Sequence, residues 1–160
     1  MSIGRGARFS SDRQYRYRLW RTWDRTIPPV VFIMLNPSVA DETQDDPTIV
    51  RCIERARRLG AGGIVVMNLF AYVATEPAEL DVVHDPVGPD TDAELLDACL
   101  GAFHVICGWG PKRIARRRGS QVLALLRAHG IATKAVRLTR DGTPGHPLYV
   151  PYDAPLVDLV

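Results

Sequence analysis

The sequence predicts an α/β fold in three layers, a central, mostly parallel four-stranded sheet between helices, with an N-terminal antiparallel strand beside it. Three observations predict it. Val30-Val31-Phe32-Ile33-Met34-Leu35, Gly63-Ile64-Val65-Val66-Met67 and Phe103-His104-Val105-Ile106-Cys107 are short, nearly unbroken apolar runs, as strands covered on both faces require. Segments of helical periodicity separate them. Each run also ends in a polar or glycine-rich element, and in open parallel sheets the crevice beyond the carboxyl ends of the strands is where ligands bind.

Residues 1–14 are rich in Gly, Ser and Arg and read as a flexible lead-in; residues 15–160 form a single α/β domain. Tyr15-Arg16-Tyr17-Arg18-Leu19-Trp20 alternates large apolar with basic side chains, the period-two pattern of a strand with one buried face. After the first apolar run, Asp46 is placed to cap a helix with Pro47 at its first position and Gly60 as its stop. Ile49, Cys52, Ile53, Ala56 and Leu59 line one side of that helix, leaving Arg51, Arg55 and Arg58 near the other. Strand, helix and strand then make a βαβ unit, right-handed in nearly all cases.

Pro77, Pro86 and Pro89 mark residues 70–90 as mostly loop, with a short turn at 77–80. Asp90-Thr91-Asp92 opens a helix through Leu95, Leu96, Ala98 and Cys99 that ends at Gly101. Gly108-Trp109-Gly110-Pro111 halts the third apolar strand. A short basic helix is expected next, and then a separate helix over 121–129, capped by Ser120 and stopped by Gly130. Residues 133–138 are the fourth strand. The Pro/Gly-rich tail carries a short Leu148-Tyr149-Val150 segment.

A hydrophobic share of 46%, a charged share of 24% and 160 residues fit one soluble domain. No apolar run approaches the ~20 residues of a membrane span, and residues 1–6 lack the apolar stretch of a secretory signal. A cytoplasmic protein without a membrane partner is expected. Cys52, Cys99 and Cys107 are odd in number, far apart and without a CxxC pair, so they read as small core residues.

The net charge of +2 makes no strong case for nucleic acid. Its distribution makes a better one: seven arginines lie within residues 1–25, and Lys112, Arg113, Arg116, Arg117 and Arg118 form a second cluster. Each cluster alone reads as solvated surface; together they allow a phosphate-bearing partner, with Arg18, Lys112, Arg113 and Arg116 as candidate contacts.

The chemistry-bearing candidates sit at the strand ends. Asn36 precedes Pro37, which forces an extended or turned backbone and lets the amide project outward. Asn68 follows the second run, where an amide presents a donor and an acceptor side by side, as reading a base edge requires. Both also suit a simple Asx turn. Phe70 and Trp109 offer flat faces, Phe70 being equally at home in the core. Pro37, Ser38 and Asp45 complete the candidate substrate contacts. His146, between Gly145 and Pro147, is the most informative histidine, because a rigid polar loop can aim an imidazole at a developing anion. No His/Asp/Glu set has metal-site spacing such as HExxH, and no cofactor is implied. GxGxxG, GxxxxGK[ST] and GxSxG are all absent.

Met34-Leu35-Asn36-Pro37-Ser38-Val39-Ala40-Asp41, Asp45-Asp46-Pro47-Thr48, Asn68-Leu69-Phe70-Ala71 and Gly145-His146-Pro147-Leu148-Tyr149 together resemble a bacterial and phage family known only as domain of unknown function 1643, over roughly residues 15–152. More distantly, strand–Asn-Pro, strand–Asn and a late His-Pro-Leu are similar in order to the uracil-DNA glycosylase superfamily. That resemblance implies a glycosylase-like sheet, Asn36 positioning a water, Asn68 reading a base and His146 stabilising the departing base anion. The loop reads His146-Pro147-Leu148 without an intervening Ser-Pro, so the apolar wedge that props open a flipped base is not expected here. The function these readings favour is an N-glycosidic or related hydrolase acting on a base in DNA, a nucleoside or a nucleotide. The alternatives are a non-catalytic nucleic-acid or nucleotide binder, and a Mg²⁺ enzyme built on Asp41, Asp45 and Asp46.

Overall fold

The computed structural model describes residues 3–38 and 40–159. Its elements are β1 (Gly4–Phe9), β2 (Arg16–Thr22), β3 (Val30–Met34), α1 (Pro47–Leu59), β4 (Gly63–Asn68), α2 (Thr91–Cys99), β5 (His104–Cys107), α3 (Ala115–Ala128), β6 (Lys134–Ala135) and β7 (Val157–Asp158), with 3-10 turns at Pro77–Asp81 and Pro147–Tyr149. The fold is α/β, with one mixed seven-stranded sheet in the order β1-β2-β4-β3-β5-β6-β7. β3 pairs parallel with β4 and β5, and β5 with β6. β1, β2 and β7 run antiparallel to their neighbours.

β3 shows why an unbroken apolar run was needed. Side chains alternate across a strand, so Val31 and Ile33 enter one core with Leu95, Cys99, Val122 and Leu126 of α2 and α3. Val30, Phe32 and Met34 enter the other with Ile49, Cys52 and Ala56 of α1. All five residues of β3 are buried. The three cysteines are buried and unpaired, and burial pushes their thiols up, that of Cys99 to about 12.

α1 has its expected ends. Asp46 accepts from the Ile49 N–H at 2.8 Å, and Gly60 closes the helix in the left-handed conformation at φ 88°. Four other expectations need correction. Within 1–14, residues 4–9 form β1, which pairs with β2 because Gly6 lets the strand lie against the Trp20 ring; a Cβ there would come within 2.1 Å of it. Met1 and Ser2 lie outside the described residues. The two short helices expected over 112–129 are one helix, α3: Gly119 does not break it but makes room for Trp109, whose indole a Cβ would meet at 2.9 Å.

The fourth strand shrinks to Lys134–Ala135, since the following backbone bonds to itself. Thr139 N–H donates to Thr143 O at 2.8 Å and Gly145 N–H to Arg137 O at 2.9 Å, a hairpin that delivers the chain to His146. Finally, the arginines of β2 are not a solvated face. Arg21 is fully buried, donating to Asp45 (2.8 Å) and to the carbonyls of Gly6, Trp20, Asp41 and Gln44. Among the described residues no helix is long and apolar enough to cross a membrane.

Candidate functional site

At the carboxyl ends of β3, β4 and β5 lies a cleft of about 290 Å³, lined in part by Arg16, Asn36, Ser38, Asp46, Asn68, Trp109, Lys112 and His146. A larger depression of about 650 Å³ lies between β2 and α2. Four of its charged side chains pair with one another (Arg8–Glu94 3.1 Å, Arg18–Glu94 3.1 Å, Arg18–Asp97 3.0 Å), so they have little left for a ligand. The smaller cleft is the better candidate because polar groups from distant segments converge in it without cancelling.

Three of its side chains are fixed by their neighbours in a definite polarity. The Asn36 amide nitrogen donates to Pro37 O at 3.0 Å and Ala74 O at 3.3 Å. Carbonyls only accept, which settles the amide's orientation and, among the described residues, leaves Oδ1 free to accept. Asn68 is the reverse. It is 3% exposed, and its Oδ1 accepts from Arg16 Nη2 at 3.4 Å, leaving the amide nitrogen as the group with unused capacity. The side-by-side donor and acceptor expected of Asn68 is thus half committed to Arg16.

His146 opens the 147–149 turn, and its Nδ1 accepts from the Leu148 N–H at 3.1 Å. In the neutral ring the proton is therefore on Nε2, which is left to donate. Solvent reaches this residue, yet the protein around the ring holds its pKa below the ordinary value by desolvation, while the Asp46 charge pulls it up.

Arg16 lies on the wall beside Asn68. It is 3% exposed, donates to Ala40 O at 2.8 Å, and keeps a buried Nε that, among the described residues, has no partner. Burial pulls its pKa down to about 10, with Asp46 and Asp41 opposing that and Arg21 adding to it. Asp46 is the one carboxylate among the described cleft-lining residues. One of its oxygens caps α1 and the other accepts from Ser38 Oγ.

The cleft thus gathers Asn36, Ser38, Asn68, Trp109, Lys112 and His146 from the sequence-predicted set. It does not gather the others. Pro37 is buried in the chain just behind it. Asp45 is held by Arg21 at 2.8 Å and Arg5 at 3.2 Å. Phe70 belongs to the core under α2 and α3. Arg18 faces the other depression, Arg116 lies 3.9 Å from Asp141 on a separate surface, and Arg113 lies outside with Arg117. Among the described residues no group of three or more His, Cys, Asp or Glu side chains could hold a metal ion.

A family model described as Protein of unknown function (DUF1643) matches residues 16–148. The chain belongs to this family. The matched span runs from Arg16 to the His146 turn and so takes in every residue that lines the cleft. No curated protein and no solved structure matches the chain.

Within this member of the family, two charged cleft residues, Asp46 and Arg16, lie outside the sequence-predicted set. In the sequence Asp46 reads as the α1 cap and, in one alternative, as a cation ligand with Asp41 and Asp45, but not as a cleft residue, although a capping carboxylate keeps a second oxygen. Arg16 reads as part of a basic patch, because the period-two alternation in β2 sets it opposite in phase to Tyr17 and Leu19. The sign available was its place at the start of a strand running antiparallel to β4, which sets it beside the end of β4.

Proposed function

We propose that the cleft is the active site of a nucleobase-processing hydrolase, cleaving an N-glycosidic bond in DNA, a nucleoside or a nucleotide, on a glycosylase-like α/β/α scaffold with a parallel four-stranded core. The observation that carries this reading is that Asn36, Asn68 and His146, far apart in the chain, line one cleft with their unused hydrogen-bonding groups of complementary kinds.

In the proposed reaction Asn36 Oδ1 accepts from a water and turns its lone pair toward the anomeric carbon. Asp46 takes the proton as the water oxygen bonds to that carbon. The glycosidic electron pair leaves on the base nitrogen. Asn68 donates from its amide nitrogen to a ring carbonyl, and Nε2–H of His146 donates to the anionic base. A neutral imidazole suits that task, since a donor placed where charge develops stabilises the transition state without having to release a proton. Trp109 and the apolar wall of Met34, Leu35 and Val66 exclude water around the base.

Incubation of the protein with oligonucleotides carrying uracil, oxidised or hypermodified bases, and with free nucleosides, is expected to release a base. Asn36→Ala is expected to lower the rate by 10²-fold or more, the scale of losing a single oriented group. Folded protein that releases no base from any substrate rejects the reading, and Asn36→Ala at wild-type rate rejects the mechanism.

A binding role has one observation in its favour. Lys112, Arg113 and Arg117 line a groove beside the cleft and, among the described residues, carry no acidic partner. That reading requires nucleic-acid affinity that falls steeply with salt.

A further inference from the structure

We infer that Arg51 and Arg55 of α1, together with Tyr152, are positioning residues for His146: they clamp the segment that carries the imidazole to the same helix that Asp46 caps. Arg55 is 2% exposed, and its Nη2 donates to Val150 O at 2.9 Å and Pro151 O at 3.3 Å. Arg51 also donates to Val150 O. The Tyr152 ring lies against both, its centroid 4.0 Å from the Arg51 guanidinium carbon and 5.5 Å from that of Arg55; Arg58 stands at 4.6 Å.

The clamp is close to the imidazole along the chain. Val150 is buried with Ile49, Cys52 and Ala56, and its N–H donates to Pro147 O at 3.3 Å, closing the turn that begins at His146. On its other side the turn rests on the residue that follows β5, where a Cβ on Gly108 would come within 3.0 Å of Pro147. α1 therefore fixes both members of the pair across the cleft, Asp46 at its start and His146 through residues 51 and 55.

Stability alone does not explain these side chains. A buried guanidinium loses hydration, and the Nε atoms of Arg51 and Arg55 are buried without a partner among the described residues. Apolar residues of similar volume commonly do as well or better at such positions. What an apolar residue cannot do is bond to two successive backbone carbonyls and fix where that backbone runs.

That His146 matters to chemistry rests on the base-processing reading; where its ring sits can be measured without any substrate. The charged groups facing it are Asp46 of α1, Arg16 of β2 and Lys112 in the loop after β5. NMR titration of the ring is expected to show, in Arg51→Gln and in Tyr152→Leu, a pKa that rises toward the ordinary ~6.5 as the turn loosens and the protein around the imidazole draws away from it. The preference for the proton on Nε2 is expected to weaken with it.

Arg55→Met should show the larger shift; if it does not fold, the two partly exposed positions carry the test. Arg51→Lys, which keeps the charge but not the fork, should behave like Arg51→Gln. Variants with a lowered melting temperature but an unmoved His146 titration and tautomer overturn the inference, whatever the activity assay returns. Shifted titrations in a protein that proves inactive on every base uphold it and count against the base-processing reading alone.

Discussion

Asp46 has two duties, and a pair of substitutions separates them. One oxygen caps α1 through the Ile49 N–H at 2.8 Å, while the charge of the carboxylate acts on His146 across the cleft. Asp46→Asn keeps a capping oxygen and loses the charge; Asp46→Ala loses both. Asn and Asp are nearly equal caps, and Ala in their place costs about 1 kcal/mol. Losing the negative charge at the positive end of the helix dipole adds roughly 0.5 kcal/mol in either variant.

The expected losses are therefore about 0.5 kcal/mol for Asn and about 1.5 kcal/mol for Ala, or about 1–2 °C and 3–6 °C in melting temperature for a chain of this size. His146 should titrate lower than in the wild type in both variants, because the anion that favoured its charged form is gone. Thermal unfolding and NMR titration read the two effects independently. Equal losses of stability in the two variants, or a His146 that titrates higher in Asp46→Asn, would refute the division of roles.

Further outcomes follow from the packing and the charges. Gly119→Ala should destabilise by about 1 kcal/mol, because crowding the buried Trp109 ring outweighs the gain in helix propensity of similar size; a raised melting temperature contradicts this. Arg21→Met should cost about 3–5 kcal/mol by taking the buried donor from four carbonyls and leaving Asp45 to Arg5 alone, whereas Arg18→Gln, on partly exposed pairs, should cost under about 1 kcal/mol; urea titrations of the two compare them. His146 and His104 both have folded-state pKa values held down by desolvation, so the unfolded chain takes up protons first as pH falls. The stability they contribute is present above ~6.5 and lost as pH drops through their folded values. Melting temperatures at pH 7.5 and 5.5 should differ less in a His104→Gln, His146→Gln double variant; an unchanged difference discounts both groups.

The parts of the fold most legible in the sequence are those governed by local chemistry. Asp46-Pro47 and Gly60 bracket α1 because a cap, a fixed φ and a left-handed exit act within a few residues. The apolar runs of β3, β4 and β5 are equally local, and the polar residues at their ends mark where the cleft opens. What was illegible depends on partners distant in the chain. Ser120 reads as the cap of a separate helix until Gly119 is seen packed against Trp109 inside α3. Residues 136–138 have the composition of a strand, but the turn around Gly142 offers their backbone nearer partners. Arg16 and Arg21 look like surface charges until the carbonyls and carboxylates of 40–45 close over them. The same holds for the site: the positions of Asn36, Asn68 and His146 could be picked from strand ends, but the polarity in which each is held is set by Arg16, Ala74 and Leu148.

The two ends of the sheet have a consequence for how the protein behaves in a crowded solution. A seven-stranded sheet that stops at an open edge offers unpaired N–H and C=O groups to any other extended chain. Here β1 carries exposed Arg5 and Arg8 and breaks register between Arg8 and Phe9, while β7 is two residues long with both side chains exposed. Charge, a bulge and brevity are the usual obstacles to strand-by-strand growth. Neutralising Arg5 and Arg8 together should leave the fold intact yet turn the β1 edge into a seed for aggregation.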